Sequence, residues 1–310
     1  MQTLLVRLAT VVLTIFSAMV LLFVLTTLVP GDPATALLGP EASPAAARQF
    51  VAEMGLDKPV LTRLGIFAGR LLMGDLGTDV LSDRPVLGVV AAAVPPTLAL
   101  TAAGMALAIV FSIPLGVIAA LRPGSVLDHG LAGLSVAMIA VPSFVVAIAL
   151  LLVFSVWLDW LPVLGAGSGG LGDQARRLVL PAVALSIGWV GFLARLVRTS
   201  MLEVLGQPYI RTARAFGLRR RQVVFKYALK NALVPALSVL GLGVGRLLGG
   251  AVLVEIVFAR PGLGRLMLDA INARNFPVLQ GAVLVVVTLF VVANQLTDMA
   301  LAAIDPRTRQ

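Results

Sequence analysis

Residues 95–121 read PPTLALTAAGMALAIVFSIPLGVIAAL. These 27 residues carry no charge. As helix they span ~40 Å at 1.5 Å per residue, and crossing a bilayer takes about 20 residues. Five further stretches meet the same test: Leu8–Val29, Leu131–Trp157, Leu178–Val197, Leu233–Val257 and Gly281–Ala303. The expected fold class is therefore an all-α membrane protein with six transmembrane helices. Leu8–Val29 has 22 residues, against 7–15 for a signal-peptide core, and is expected to be a retained first helix.

Composition agrees. Of 310 residues 59% are apolar and 13% charged, and the mean hydropathy is +1.01. A soluble chain is nearer half apolar and a quarter charged, and a disordered one needs the opposite composition. The absence of cysteine removes disulfides, thiol nucleophiles and thiolate-held zinc or iron–sulfur clusters. The single histidine, His129, argues against a histidine-built metal site, so no metal-binding residues are expected.

Charge sets the expected orientation. With both termini on one side, that side carries 13 basic residues against three acids, Asp128, Glu203 and Asp305. The other side balances ten basic residues against ten acids. The basic side is expected to be cytoplasmic, with both termini there. The same asymmetry accounts for the net charge of +9 without nucleic acid as a partner.

Three regions follow: an N-terminal transmembrane helix in residues 1–29, an extracytoplasmic helical subdomain in 30–94, and a five-helix core in 95–310. Within the subdomain, Ser43 and Pro44 can start a helix that Gly55 follows. A second helix is expected over Pro59–Met73, with Gly74 behind it. The subdomain either shields helix ends or receives something delivered from outside.

The loop 198–232 reads RTSMLEVLGQPYIRTARAFGLRRRQVVFKYALKNA. A short helix is expected over Tyr209–Phe216, with Gly217 in a left-handed cap. A second, about Arg219–Ala232, leads into the fifth span. Its Val223, Tyr227 and Ala228 face one way and Arg220, Lys226 and Lys230 face water. The loop is either an interfacial element held by anionic lipid or a docking site for a cytoplasmic protein.

Catalytic constellations are missing from the inventory. A P-loop needs glycine before its lysine, but Lys58, Lys226 and Lys230 follow Asp57, Phe225 and Leu229. Neither H-E-x-x-H nor G-x-S-x-G occurs. Asp298 is the one candidate aspartate at membrane depth for a paired-aspartate protease. Ser135 and His129 lie at one helix end, where His129 suits interfacial solvation. No catalytic residue is expected.

Two features sit inside the fifth span. Gly241, Gly245 and Gly249 repeat every four residues, a stripe that admits a close backbone. It serves either intramolecular packing or a pathway or subunit interface. Arg246 lies in the same span, where a charge faces a cavity or a partner. Glu255, nine residues on, is about half a turn out of phase. Arg246 therefore needs a partner on another helix, on another subunit or in a substrate.

Several short strings add a resemblance. They are Leu28-Val29-Pro30-Gly31-Asp32-Pro33, Gly55-Leu56-Asp57-Lys58-Pro59, Gly74-Asp75-Leu76-Gly77, Arg84-Pro85-Val86 and Ile113-Pro114-Leu115-Gly116. Tyr209-Ile210-Arg211-Thr212-Ala213-Arg214-Ala215-Phe216-Gly217-Leu218, Glu255-Ile256-Val257-Phe258, Pro261-Gly262-Leu263-Gly264-Arg265 and Asp305-Pro306-Arg307 follow. In this order, over essentially the whole chain, they resemble the inner-membrane permease subunits of peptide and nickel ABC importers, of the dipeptide/oligopeptide type. Residues 209–218 look like the E-A-A loop of such permeases. Arg211-Thr212-Ala213 stands for Glu-Ala-Ala, and Lys230 for the proline expected after the glycine, with Pro235 further on. The peptide branch shares both departures. Phe216 stands where that branch usually has lysine, which changes the local charge of the docking surface.

The resemblance implies a type I ABC-importer permease architecture in a bacterial-type cytoplasmic (inner) membrane. It implies a homologous second permease, two cytoplasmic ATPase subunits that hold ATP and Mg, and an extracytoplasmic substrate-binding protein. No cofactor is implied in this chain. Tyr209–Leu218 would be the ATPase-coupling loop, and the mechanism alternating access driven by the partners. Di- or oligopeptides are the expected cargo. Nickel or another small solute is the alternative, against which the scarcity of His and Cys leans. A secondary transporter working alone would need ionisable coupling sites at mid-membrane, where this chain offers essentially Arg246. A membrane-anchored scaffold is a third rival.

Overall fold

The structure, a computed structural model, describes residues 2–28, 43, 45, 57–162, 164, 165, 167 and 169–304. The helix expected after Ser43 and the terminal Asp305-Pro306-Arg307 string lie outside the described residues. The helices are α1 (Gln2–Leu28), α2 (Val60–Leu72), α3 (Val86–Leu121), α4 (Val126–Ala140), α5 (Ser143–Leu150), α6 (Gly170–Leu205), α7 (Pro208–Ala215), α8 (Leu229–Val257), α9 (Leu263–Asn272) and α10 (Phe276–Ile304). A π-helical segment, Leu151–Trp157, continues α5. A single α turn, Arg220–Gln222, and a second π segment, Val223–Ala228, precede α8.

Five helices among the described residues are long and apolar enough to cross a membrane. α4 and Ser143–Trp157 together pass the same test of length and apolarity, but are bent by 98° at a short break, the geometry of a broken span or of a re-entrant loop. The chain is thus a multi-pass membrane protein, and the stretch expected as a straight third span is instead two helices set at 98°. Proline causes the break. Val141 ahead of Pro142 has ψ 122°, the extended geometry that a following proline imposes. Pro142 itself, at ψ 142°, starts the next helix.

Two other spans are longer than expected. The helix anticipated from Pro95 begins at Val86, and α6 has 36 residues, ~54 Å at 1.5 Å each. Pro95, Pro96, Pro114, Pro181 and Pro235 all lie inside helices, as membrane-spanning helices tolerate.

The chain divides into two compact units, Met1–Pro95 with Pro261–Val291 and Pro96–Arg260 with Val292–Gln310. In the first, Val86, Val90 and Ala93 recur at one-turn spacing. They pack against Leu263 and Ala270 of α9 and Val278 and Ala282 of α10. A Cβ at Gly281 would stand 2.6 Å from Val86 Cγ1, so α3 and α10 touch where a side chain is missing. Phe23 of α1 stacks on Phe67 of α2 at 6.2 Å, and Arg63 lies 5.7 Å over the Phe23 ring. Gln280 Nε2 donates to Thr26 Oγ1 at 2.9 Å.

A polar knot closes this unit. The buried Asp79 carboxylate accepts from the Leu81 N–H at 3.0 Å and from the Ser82 hydroxyl and the Asn275 amide. Burial opposes its ionisation, yet the bonds from Ser82, Leu81 and Asn275 prevail and hold its pKa below the ordinary 3.8. A carboxylate fed by several donors is favoured in its charged form.

The second unit is packed through small residues, as expected where lipid is as apolar as the protein interior. A Cβ on Gly116 of α3 would stand 2.6 Å from the Ala194 carbonyl oxygen of α6. One on Gly191 would stand 2.9 Å from the Ser135 carbonyl oxygen of α4. Leu100, Ala147, Leu180, Leu185, Leu247, Val254 and Phe258 fill one core region. Val117, Val197, Met201 and Ala232 belong to another, into which α7 inserts.

Candidate functional site

The helix α7 begins with Pro208 at its first position, where the missing N–H costs nothing. The expected helix over Tyr209–Phe216 is thus present, shifted by one residue. Its close is as expected: Gly217 has φ +75°, its N–H reaches Arg214 O at 2.9 Å, and the Leu218 N–H reaches Ala213 O at 3.3 Å. A Cβ at Gly217 would meet nothing within 4 Å. Backbone conformation, not space, therefore requires glycine here.

One face of α7 is anchored. Ile210 is fully buried and Ala213 nearly so, in a core shared with Val117 and Ala120 of α3, Val197 and Met201 of α6, and Ala232 and Ala236 of α8. Val223, Val224 and Ala228 of the π segment join them. The expected partition of that segment holds, with Tyr227 half-buried and Arg220, Lys226 and Lys230 exposed. Sequence reasoning missed Val224. The wider π turn brings the adjacent Val223 and Val224 into one core, which a 3.6-residue period does not anticipate. Asn231 Nδ2 donates to the Tyr209 hydroxyl at 2.8 Å. Arg220 Nη2 donates to Leu121 O at 3.4 Å, at the last residue of α3.

The opposite face is open. Tyr209, Arg211, Thr212, Arg214, Ala215, Phe216 and Gly217 are exposed, Phe216 at 82%. Leu218 is half-buried against the core. Arg219, Arg220, Arg221 and Lys226 extend the basic surface. The sequence holds no acid between Glu203 and Glu255, so the charges on this surface are all cationic, with Phe216 and Phe225 exposed among them.

The glycines of α8 separate by role. Gly241 is buried, and a Cβ there would overlap the Thr297 side chain. Gly243 sits under Trp189, and Gly250 faces Leu185. Gly245 is buried as well. Gly241 therefore packs within the chain, while Gly249 meets nothing within 4 Å. Arg246, Gly249 and Leu253 are exposed at spacings of three and four, one side of a helix. Among the described residues Arg246 makes no ion pair. Glu255 is fully buried and accepts from Thr97 Oγ1 at 2.6 Å, so it does not share the face of Arg246.

Sequence reasoning also missed Asp128, which is 4% exposed and is held by the guanidinium of Arg198, with Arg198 Nη2 at 2.7 Å. The two stand 70 residues apart, and no local spacing signals such a pair. Among the described residues no group of three or more His, Cys, Asp or Glu side chains forms a metal-binding cluster.

This membrane architecture, with a short helix seated across helix ends, is that of ABC-importer permeases. The likeness is measurable in the methionine ABC transporter MetNI in its inward-facing conformations. A chain of that structure aligns with a TM-score of 0.57 at 22% identity, over 71% of this chain and 97% of that one. Family models described as binding-protein-dependent transport system inner membrane component and as the N-terminal part of such membrane components match residues 112–310 and 1–101. The chain belongs to the family of binding-protein-dependent transport system inner membrane components. It is 40% identical over 297 residues to a putative peptide permease protein of Brucella suis, covering 94% of this chain and 93% of that protein. It is 39% identical over 303 residues to the glutathione transport system permease protein GsiC of Pectobacterium atrosepticum, covering 98% and 97%.

Proposed function

We propose that this chain is one of two homologous permeases lining the pathway of an ATP-driven importer of small peptides. The carrying observation is the seat of α7, whose Ile210 is fully buried in a core shared with α3, α6 and α8. A helix held this way cannot shift alone, so a push on its exposed face is delivered to three membrane helices. Its uniformly basic outer face suits a cytoplasmic partner, and the positive-inside rule puts that face and both termini in the cytoplasm.

The chain has no P-loop lysine. ATP and Mg belong to two ATPase subunits, one of which grips α7, while this subunit is non-catalytic. Closure of the ATPases displaces α7, the bundle rocks from inward-open to outward-open, and hydrolysis resets it. An extracytoplasmic binding protein delivers the cargo. Relatives named for peptides and for glutathione, itself a tripeptide, support the substrate class. The exposed face of Arg246 and Gly249 turns toward the partner permease and the pathway, where the guanidinium meets a peptide carboxylate or a gating contact.

The test is uptake of labelled di- and tripeptides by proteoliposomes holding both permeases and both ATPases, with binding protein outside and ATP inside. Uptake is expected when all are present. Ion-gradient-driven uptake without ATPases would contradict the reading. Orientation is checked with cysteines at Asp83 and Arg219, both exposed, which should label from opposite sides.

A further inference from the structure

Asp128 lies in the first turn of α4, capped by Ser125, whose hydroxyl accepts the Asp128 N–H at 3.3 Å. Its carboxylate accepts the Gly124 N–H at 2.9 Å and is gripped by Nε and Nη2 of Arg198. Arg198 lies near the end of α6, and the α7 residue Pro208 follows soon after Leu205. Around the pair the helices have no slack. Leu131 of α4 is buried against Ala119 of α3 and Ala194 of α6. Gly116 and Gly191 leave α6 in contact with the backbone of α3 and α4.

The pair is partly buried, with the Asp128 side chain 5% exposed and that of Arg198 28%. A partly exposed ion pair adds only modestly to net stability. What it supplies is fixed geometry, since a guanidinium fork donates to a carboxylate in one plane. The pair joins the start of the bent span to the helix that carries α7. We propose that Asp128 and Arg198 are positioning residues that make α4 move with α6, so that displacement of α7 reaches the bend at Val141–Pro142.

This inference rests on the importer reading, and its test separates the two. The complete importer is reconstituted in nanodiscs and proteoliposomes, and peptide taken up per ATP hydrolysed is measured. Asp128→Asn and Arg198→Gln should assemble and hydrolyse ATP yet deliver about two- to thirty-fold less peptide per ATP, the range of coupling-network mutations. Arg198→Lys, which keeps charge but not the fork, should retain part of it. The double variant should lose no more than the worse single one, because the pair acts as a unit.

Spin labels at the exposed Val126 and Glu203 supply a readout in the otherwise unaltered complex. Their distance should stay constant between nucleotide-free and ATP-trapped states. In Asp128→Asn its distribution should broaden. A parent distance that shifts with ATP, or single variants with the parent's peptide-to-ATP ratio, would overturn the proposal. Should the substituted complexes not assemble, the parent distance decides. A parent importer without ATP-dependent uptake would instead sink the importer reading.

Discussion

The Tyr209 hydroxyl accepts a hydrogen bond from the Asn231 amide at 2.8 Å, and so the first turn of α7 is tied to the first turn of α8. Tyr209 is 42% exposed, which limits the bond to about 0.5–1.5 kcal/mol. Asn231→Ala should therefore leave assembly intact and lower substrate-stimulated ATPase activity by roughly fivefold, the equivalent of about 1 kcal/mol. Stimulated activity equal to the parent's would show that the tie has no part in coupling.

The two faces of α7 predict opposite outcomes for two truncations. Ile210→Ala removes a fully buried side chain and should cost about 2–5 kcal/mol, seen as a lower melting temperature of the purified permease. Phe216→Ala removes an exposed one and should change stability by no more than about 0.5 kcal/mol. It should nevertheless weaken co-purification of the ATPases. A melting loss for Phe216→Ala as large as that for Ile210→Ala would contradict the assignment of faces.

Gly217 is the conformational test. A β-branched residue at φ +75° costs roughly 1–3 kcal/mol of local strain. Gly217→Val should insert and assemble but lose most stimulated turnover, while Gly217→Asn, tolerant of the left-handed region, should keep more. Equal turnover in both would refute a role for this cap.

Much of this region was legible because its signals are local. Pro208 and Gly217 bracket α7 in the sequence, and both ends of the helix fall within one residue of expectation. The bend at Pro142 was not legible, because five other prolines lie inside helices and only tertiary contacts separate the cases. The extension of α3 back to Val86 was also hidden, since the stripe of Val86, Val90 and Ala93 gains meaning from α9 and α10. Arg246 and Gly241 show the same limit. Both stood out in the sequence, but only packing distinguishes the buried Gly241 from the exposed face of Arg246.

The Asp79 knot predicts a pH effect. Its carboxyl pKa is lowered in the folded protein, so its contribution is complete above the ordinary 3.8 and is lost as pH falls through the depressed folded value. Asp79→Asn abolishes this dependence. The stability difference between parent and variant should stay constant from pH 7 down to the ordinary 3.8 and narrow as the pH is lowered further. A difference that stays constant with pH would show that the ionised carboxylate is not what holds Asn275.

Arg246 separates pathway from packing. Arg246→Ala should assemble with the ATPases and lose uptake, and Arg246→Lys should restore part of it through charge without the planar fork. Failure of both to assemble would make Arg246 structural. Parent-like uptake by both would remove it from the mechanism.

In the proposed importer, energy enters this chain through the outer face of α7 from a separate ATPase. The most direct measurement places a photoreactive phenylalanine analogue at position 216 of the assembled importer and identifies what it captures. The expected product is an adduct with an ATPase subunit whose yield changes when ATP is added. A co-purifying ATPase that is never captured from position 216, with lipid adducts in its place, would contradict it.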